Sequence, residues 1–274
     1  MYCWNPGDYA RHSEAQKKWA RELLGRLSLR EDERVLDIGC GDGSMTAEIA
    51  RLLPEGSVVG IDSSPEMIDF AKKHSMEGLD NLTFLCCDVR DLALSREFDL
   101  AFSNAALHWV ADHLPMLQRV RQSLRPSGRV LFQMGGKGNA ATVTETMHRL
   151  ILEEPWRPFF EDFSPPYRFY GAEEYQDLVR AAGFVPVRVE LIPKAASHKG
   201  REGLSGWIRT TWLPYTQRVP AKMRDRFVAE VVARYEREHP RDEEGCFHVM
   251  MMRLEVEALI AGNRRGRSVS ERPL

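Results

Sequence analysis

The sequence predicts a doubly wound α/β fold, with helices on both faces of a mostly parallel sheet. Two observations predict it. Apolar runs of strand length alternate with amphipathic stretches from residue 34 to 135, at a repeat of roughly 25 residues. A turn with glycines at 39, 41 and 43 joins the first apolar run to its helix, the place where ligands of such sheets bind.

The elements follow in order. Residues 10–27 read as an amphipathic helix, with Trp19, Leu23, Leu24 and Leu27 on one face by their three- and four-residue spacing. "RVLDIG" is a buried strand. "SMTAEIARLL" is a helix stopped by Pro54-Glu55-Gly56. "SVVGID" is the second strand, and the next helix opens with Ser64 as N-cap, Pro65 at the first position and Glu66 in the first turn. "LTFLCCD" and "FDLAFSN" are strands three and four. "LPMLQRVRQSLRPSG" is a helix closed by Pro126 and Gly128, and "RVLFQMG" is strand five. "ATVTETMHRLILEE" reads as a helix. The Pro-rich, aromatic stretch 155–171 reads as a structured loop over the core. "AEEYQDLVRAAG" is a helix, "VPVRVELIPK" a sixth strand, 202–240 mostly helix, and "FHVMMMRLEVEALI" a last strand with its three methionines in the core. The expected division is one domain over 1–262. Its core covers 30–135, 171–194 and 246–260, its helical cover comes from insertions at about 136–170 and 195–245, and a flexible tail spans 263–274.

Thirty-eight basic residues against 40 acidic ones create no strong field of one sign, which argues against nucleic acid and against an anionic membrane surface. Five cysteines without a C-x-x-C pair suit neither a disulfide framework nor a metal site and fit a reducing cytoplasm. The opening residues lack the apolar core of a signal peptide, and no apolar run approaches the ~20 residues of a membrane span.

The glycines let the backbone turn sharply and approach a ligand. Asp62 ends the second strand, 62 − 41 = 21 residues after Gly41, a spacing that suits a carboxylate on ribose hydroxyls. A nicotinamide dinucleotide meets that condition too, but Ser44 takes its third glycine position, and Asp37 would repel a pyrophosphate. S-adenosylmethionine reverses the sign, because its α-ammonium and sulfonium are cationic. Asp88, at the end of the third strand, is placed to meet an adenine amino group.

The segments "VLDIGCGDGSMTAEIA", "VVGIDSSPEMIDFAKK", "LTFLCCDVRDL" and "FDLAFSNAALHWVADHLPMLQRVRQSLRPSGRVLFQM" resemble the successive motifs of class I S-adenosylmethionine-dependent methyltransferases. "WNPGDYAR", "NAALHWVADH", "GWIRTTWLPYTQRVP" and "RLEVEA" resemble the trans-aconitate methyltransferase group, which acts on small carboxylic acids. The resemblance implies a Rossmann-like sheet of seven strands, the last antiparallel. It implies that Asp37, Gly39 and Gly41 hold the methionine moiety and Asp62 the ribose. Ser63 and Met67 would lie by the adenine, with Asp88 and the Val89 amide on its edge. Asn104 would line the methionine and substrate side, and Tyr9 and Gln16 would close over the cofactor.

A carboxylate is ionised at pH 7 and needs no general base, whereas an amine, phenol or carbon acceptor usually does. Carboxylate binding calls for a cation and fixed donors. His108 and Trp109 follow strand four at the functional edge of the sheet. Arg209 is a bidentate carboxylate partner, Tyr215 a donor, and Trp207 and Trp212 are walls. Arg168 and Tyr170 are weaker candidates. The expectation is a cytoplasmic enzyme, monomer or homodimer, that forms a methyl ester on a small-molecule carboxylic acid without a metal. A methyltransferase for oxygen, nitrogen or carbon centres with His108 as base, and a non-catalytic cofactor binder, stay open at this point.

Overall fold

Val35 to Ile38 are buried without a break, so this run lies between two layers and forms the middle of the sheet as β1 (Arg34–Ile38). The computed structural model describes residues 2–26 and 28–261. The other strands are β2 (Ser57–Asp62), β3 (Leu82–Cys86), β4 (Phe98–Asn104), β5 (Leu124–Gly135), β6 (Phe184–Lys199) and β7 (Cys246–Ile260). Their order is β3-β2-β1-β4-β5-β7-β6, with β7 antiparallel to both its neighbours and β1 to β5 parallel. The seven-stranded, mostly parallel sheet expected from the sequence is therefore present. The strand order reverses between β1 and β4, which opens a crevice at their carboxyl ends.

The helices are α1 (Pro6–His12), α2 (Glu14–Leu24), α3 (Ser44–Arg51), α4 (Pro65–His74), α5 (His113–Ser123), α6 (Ala141–Leu150), α7 (Ala172–Ala181), α8 (Gly200–Thr211), α9 (Leu213–Thr216) and α10 (Arg224–Glu238). α2 and α3 pack on one face of β1, β2 and β4 through Leu23, Ile49 and Phe102, while α5 and α7 cover the other face through Leu117 and Val179. A further apolar cluster joins α6, the 156–160 stretch, α8 and α10 to Phe247, Val249 and Met251 at the start of β7.

Four expectations change. The helix expected to be closed by Pro126 and Gly128 ends at Ser123, and both residues fall within β5. The single helix over 10–27 is two helices broken at Ser13. Asn5 caps α1 through a bond from the Asp8 amide, Pro6 takes the first position, and Ser13 leaves helical geometry at ψ 13°. Leu27 of that predicted face, like the 263–274 tail, lies outside the described residues. The β6–β7 pair runs well beyond the predicted "VPVRVELIPK": Lys199 is still in register with Cys246. β6 is an edge strand, so it tolerates Pro186 and Pro193. The three methionines alternate as strand residues must. Met251 is buried, Met250 is 51% exposed, and Met252 lies between them.

Candidate functional site

The turn after β1 is held by its own backbone. The amides of Gly39 and Cys40 both donate to the Ile61 carbonyl, at 2.8 and 3.0 Å. Gly39 has φ +72°, and a Cβ there would stand 2.1 Å from the Ala106 Cβ, so only glycine lets the two loops meet. Asp62 closes the turn: its Oδ2 accepts from the Gly41 amide at 3.0 Å and its Oδ1 from the Ser64 amide at 2.9 Å. Both bonds favour the ionised form, but burial prevails and raises its pKa.

Asp37 is buried at 3% exposure. One oxygen accepts from Thr46 Oγ1 of α3 at 2.7 Å. No cation lies at ion-pair distance from it among the described residues. Burial pushes its carboxyl up to about 7, and the charges of Asp62 and Asp42 add to that. Asp42, by contrast, is paired with Lys17 Nζ of α2 at 2.9 Å.

A cavity of about 560 Å³ opens beside this turn. Gly39, Gly41, Asp62, Ser63, Met67, Asp88, Val89, Asn104, Tyr9 and Trp109 all line it. A recess of about 40 Å³ shares Gly39, Gly41, Asn104 and Tyr9 with it and reaches Asp37 and Gln16. The eleven residues assigned to a cofactor from the sequence thus surround two adjoining spaces. Asp88 is not a free carboxylate: Arg90 binds it with Nε at 2.9 Å and Nη2 at 2.6 Å, which holds its pKa down. Ala105, between β4 and the next turn, is forced to φ +56°, a strained position beside the cavity.

The acceptor candidates scatter. Trp109 alone of them lines the cavity, where it meets Trp4 edge to face at 5.4 Å and Tyr2 at a tilt at 5.6 Å between centroids. His108 sits just behind, 7% exposed, with Nδ1 facing the Gly135 amide at 3.4 Å. Burial, then the charge of Arg253, pulls its pKa down to about 3, so it is neutral. Arg209 is not free for an acceptor: Nε and Nη2 bind Asp8 of α1 at 2.8 and 3.2 Å, beside a separate cleft of about 300 Å³. Tyr215 is buried with its hydroxyl 2.7 Å from His148 Nε2. Trp207 and Trp212, at 2% exposure, are core residues rather than walls. Arg168 is exposed over the ring of Tyr170, which is itself part of the core. Helical spacing could not separate a tryptophan facing a pocket from one facing a second core. Thr46, Tyr2, Trp4 and Arg253 were not anticipated; an isolated threonine or arginine carries no spacing signal.

A methyltransferase-domain family profile matches residues 29–162. The chain is 32% identical to trans-aconitate 2-methyltransferase of Deinococcus radiodurans, over 86% of this chain and 92% of that one. It is 29% identical to the Shigella dysenteriae protein of the same name, over 94% and 98%. The chain belongs to the class I S-adenosylmethionine-dependent methyltransferases.

Among solved structures, the YcgJ protein of Bacillus subtilis shares the fold at a TM-score of 0.61 and 17% identity, over 90% of this chain and 98% of that one. A SAM-dependent methyltransferase from Aquifex aeolicus does so at 0.55 and 17%, over 94% and 100%. The cofactor of this methyltransferase is S-adenosylmethionine. The residues fit it. Asp37 is an uncompensated carboxylate in the recess, and Gln16 Oε1 and Asn104 Oδ1 are buried acceptors with no partner among the described residues. Asn104 Nδ2 donates to the Gln16 carbonyl at 3.1 Å, which fixes that amide with its oxygen free. Two acceptors without a donor, beside a carboxylate that has no cation, suit an ammonium and would repel a phosphate.

Among the described residues there is no cluster suited to a metal ion and no helix long and apolar enough to cross a membrane. All five cysteines are free.

Proposed function

We propose that this methyltransferase acts on the carboxylate of a small organic acid and forms its methyl ester. The proposal rests on the state of His108. It stands between Leu107 and Trp109, which both line the cavity, and burial has made it too weak a base to deprotonate an amine, phenol or carbon acid at neutral pH. His113 is likewise pulled down to about 4 by burial and is occupied by Tyr175 and the Leu107 carbonyl. An acceptor that arrives already ionised needs neither. The names of the relatives, trans-aconitate 2-methyltransferase, agree with this chemistry.

S-adenosylmethionine supplies a methyl carbon already activated by its sulfonium. In this reading Asp37, Gln16 and Asn104 hold the α-ammonium, the Asp62 carboxylate takes the ribose hydroxyls, and Met67, Asp88 and Val89 enclose the adenine. Tyr2, Trp4 and Trp109 form an aromatic roof that excludes water and keeps the acceptor aligned. The acceptor oxygen loses its charge as the ester forms, so the chain's task is placement rather than proton removal. The stretches 136–170 and 195–245 complete the same domain as its cover.

The test is a pH–rate profile at saturating cofactor, with the product identified by mass. A rate flat from about pH 6 to 8 and a gain of one methyl as an ester are expected. A sigmoid rise with pH, or methyl on nitrogen or carbon, would overturn the proposal.

A further inference from the structure

Arg253 of β7 is 2% exposed, and its Nε and Nη2 have no hydrogen-bond partner among the described residues. No carboxylate lies at ion-pair distance from it among those residues. The nearest acidic residue on its strand face, Glu255, is already taken: Arg26 and Arg188 each hold its Oε2 at 2.7 Å, and Gln133 holds its Oε1 at 2.9 Å. A buried guanidinium left with two open donors is costly unless something fills them.

The open pair is the edge that carboxylates take elsewhere in this molecule. Arg21 grips Glu48 with Nε and Nη2 at 2.8 and 2.7 Å. Arg90 grips Asp88 and Arg209 grips Asp8 through the same two nitrogens. The edge is also held in place, because the Trp19 ring of α2 lies 5.4 Å from the Arg253 Cζ.

Register places Arg253 on the sheet face that carries Asp37 and Asn104. Asp37 pairs with Phe102, and two residues on Asn104 pairs with Gln133, which pairs with Glu255; two residues back along β7 is Arg253, opposite Gly135. Paired residues and alternate residues share a face. Asp37, Asn104 and Arg253 therefore lie on one face, in that order, across the carboxyl ends of β1, β4 and β5. β7 is three strands from β1, about 14 Å. Tyr9, which lines the cavity, and His108 both lie within reach of the Arg253 charge. Burial pulls its own pKa down to about 10, partly offset by Tyr9 and Glu255.

The geometry points to Arg253 as the binding residue for a carboxylate of the acceptor, gripped along the Nε–Nη2 edge on the far side of the site from Asp37. This rests on the carboxylate reading above. Arg209, the arginine expected from the sequence to do this, has the same edge closed by Asp8.

The experiment compares the full chain with Arg253→Met and Arg253→Lys. Trans-aconitate, octanoate and benzoate serve as probe acids, and esters are identified by mass. Affinity for S-adenosylhomocysteine is measured by calorimetry, and acid binding by thermal stabilisation of the S-adenosylhomocysteine complex. The expected result is an ester from the natural chain and an acceptor KM raised about 100-fold in Arg253→Met, at a cofactor affinity changed by less than about threefold. Arg253→Lys keeps the charge without the fork and should fall between the two. It carries the same comparison if the methionine variant does not fold. An ester formed with acceptor KM unchanged in both variants overturns the assignment of Arg253 and leaves the proposed function standing. Stabilisation by an acid that is lost in Arg253→Met, with no ester formed, upholds Arg253 and overturns ester formation. Neither binding nor ester with any probe overturns both.

Discussion

Asp37 carries the sharpest consequence. Its carboxyl is held near pH 7 by burial and by two neighbouring acids. The sign for the free protein follows: a folded pKa above the unfolded value gives stability that is present at low pH and lost as pH rises through about 7. With the α-ammonium on Asp37, as proposed above, cofactor binding works the other way, because the ammonium prefers the ionised carboxylate. Cofactor Kd should rise by up to about tenfold per unit below pH 7, and calorimetry at pH 6 in buffers of different ionisation enthalpy should show a proton released on binding. A Kd independent of pH from 5.5 to 7.5 would remove Asp37 from the ammonium's partners. Gly39 is the second such position. Gly39→Ala puts a Cβ into Ala106 and forces alanine to φ +72°, so it should abolish cofactor binding, read by calorimetry, and lower Tm. Wild-type affinity in that variant would mean the turn opens more easily than its backbone bonds imply.

α1 is too short to be stable alone and is held by what it touches. Arg209 of α8 ties it down through Asp8, and Tyr9 on the same helix lines both the cavity and the recess. The pair is partly exposed, so it contributes about 1 kcal/mol at most. Arg209→Met should therefore weaken cofactor binding about fivefold by loosening α1, while acceptor KM at saturating cofactor stays put. A raised acceptor KM with normal cofactor affinity would return Arg209 to the acceptor site. α2 acts similarly: Lys17 pairs with Asp42 of the glycine turn, and Gln16 and Trp19 face inward from the same helix.

The whole molecule is built around a sheet whose two faces are both covered, and this has a cost in acid. His113, the first residue of α5, is buried against α7, bonded to the Tyr175 hydroxyl at 3.0 Å and the Leu107 carbonyl at 2.9 Å, and pulled down to about 4. Its folded pKa lies below its unfolded value, so its contribution is intact above pH 6.5 and lost as pH falls toward 4, by up to about 3 kcal/mol. His108 adds a loss of the same sign, and Asp37 opposes both. Urea titrations between pH 7 and 4 should show stability falling with pH, less steeply in His113→Asn. An equal slope in that variant would clear His113 of the effect.

The β-α alternation, the glycine turn and the acids at 37, 62 and 88 were legible in the sequence because local rules govern them. A buried parallel strand must be apolar, a helix start needs a cap, and a turn that touches a ligand needs glycine. Those residues lie within one or two elements of each other, so spacing alone brings them together. The acceptor side was not legible in this way. "GWIRTTWLPYTQR" has the composition of a pocket, yet Trp207, Trp212 and Tyr215 went into a second core and Arg209 went to Asp8. Arg253 opens the segment "RLEVEA", which carries the family resemblance, but nothing in that segment gives the arginine a role. Only the antiparallel insertion of β7 beside β5 brings it opposite Gly135, on the face of Asp37 and Asn104. Which side chain is buried, and which of its hydrogen bonds remain unmade, depends on partners more than a hundred residues away in the chain.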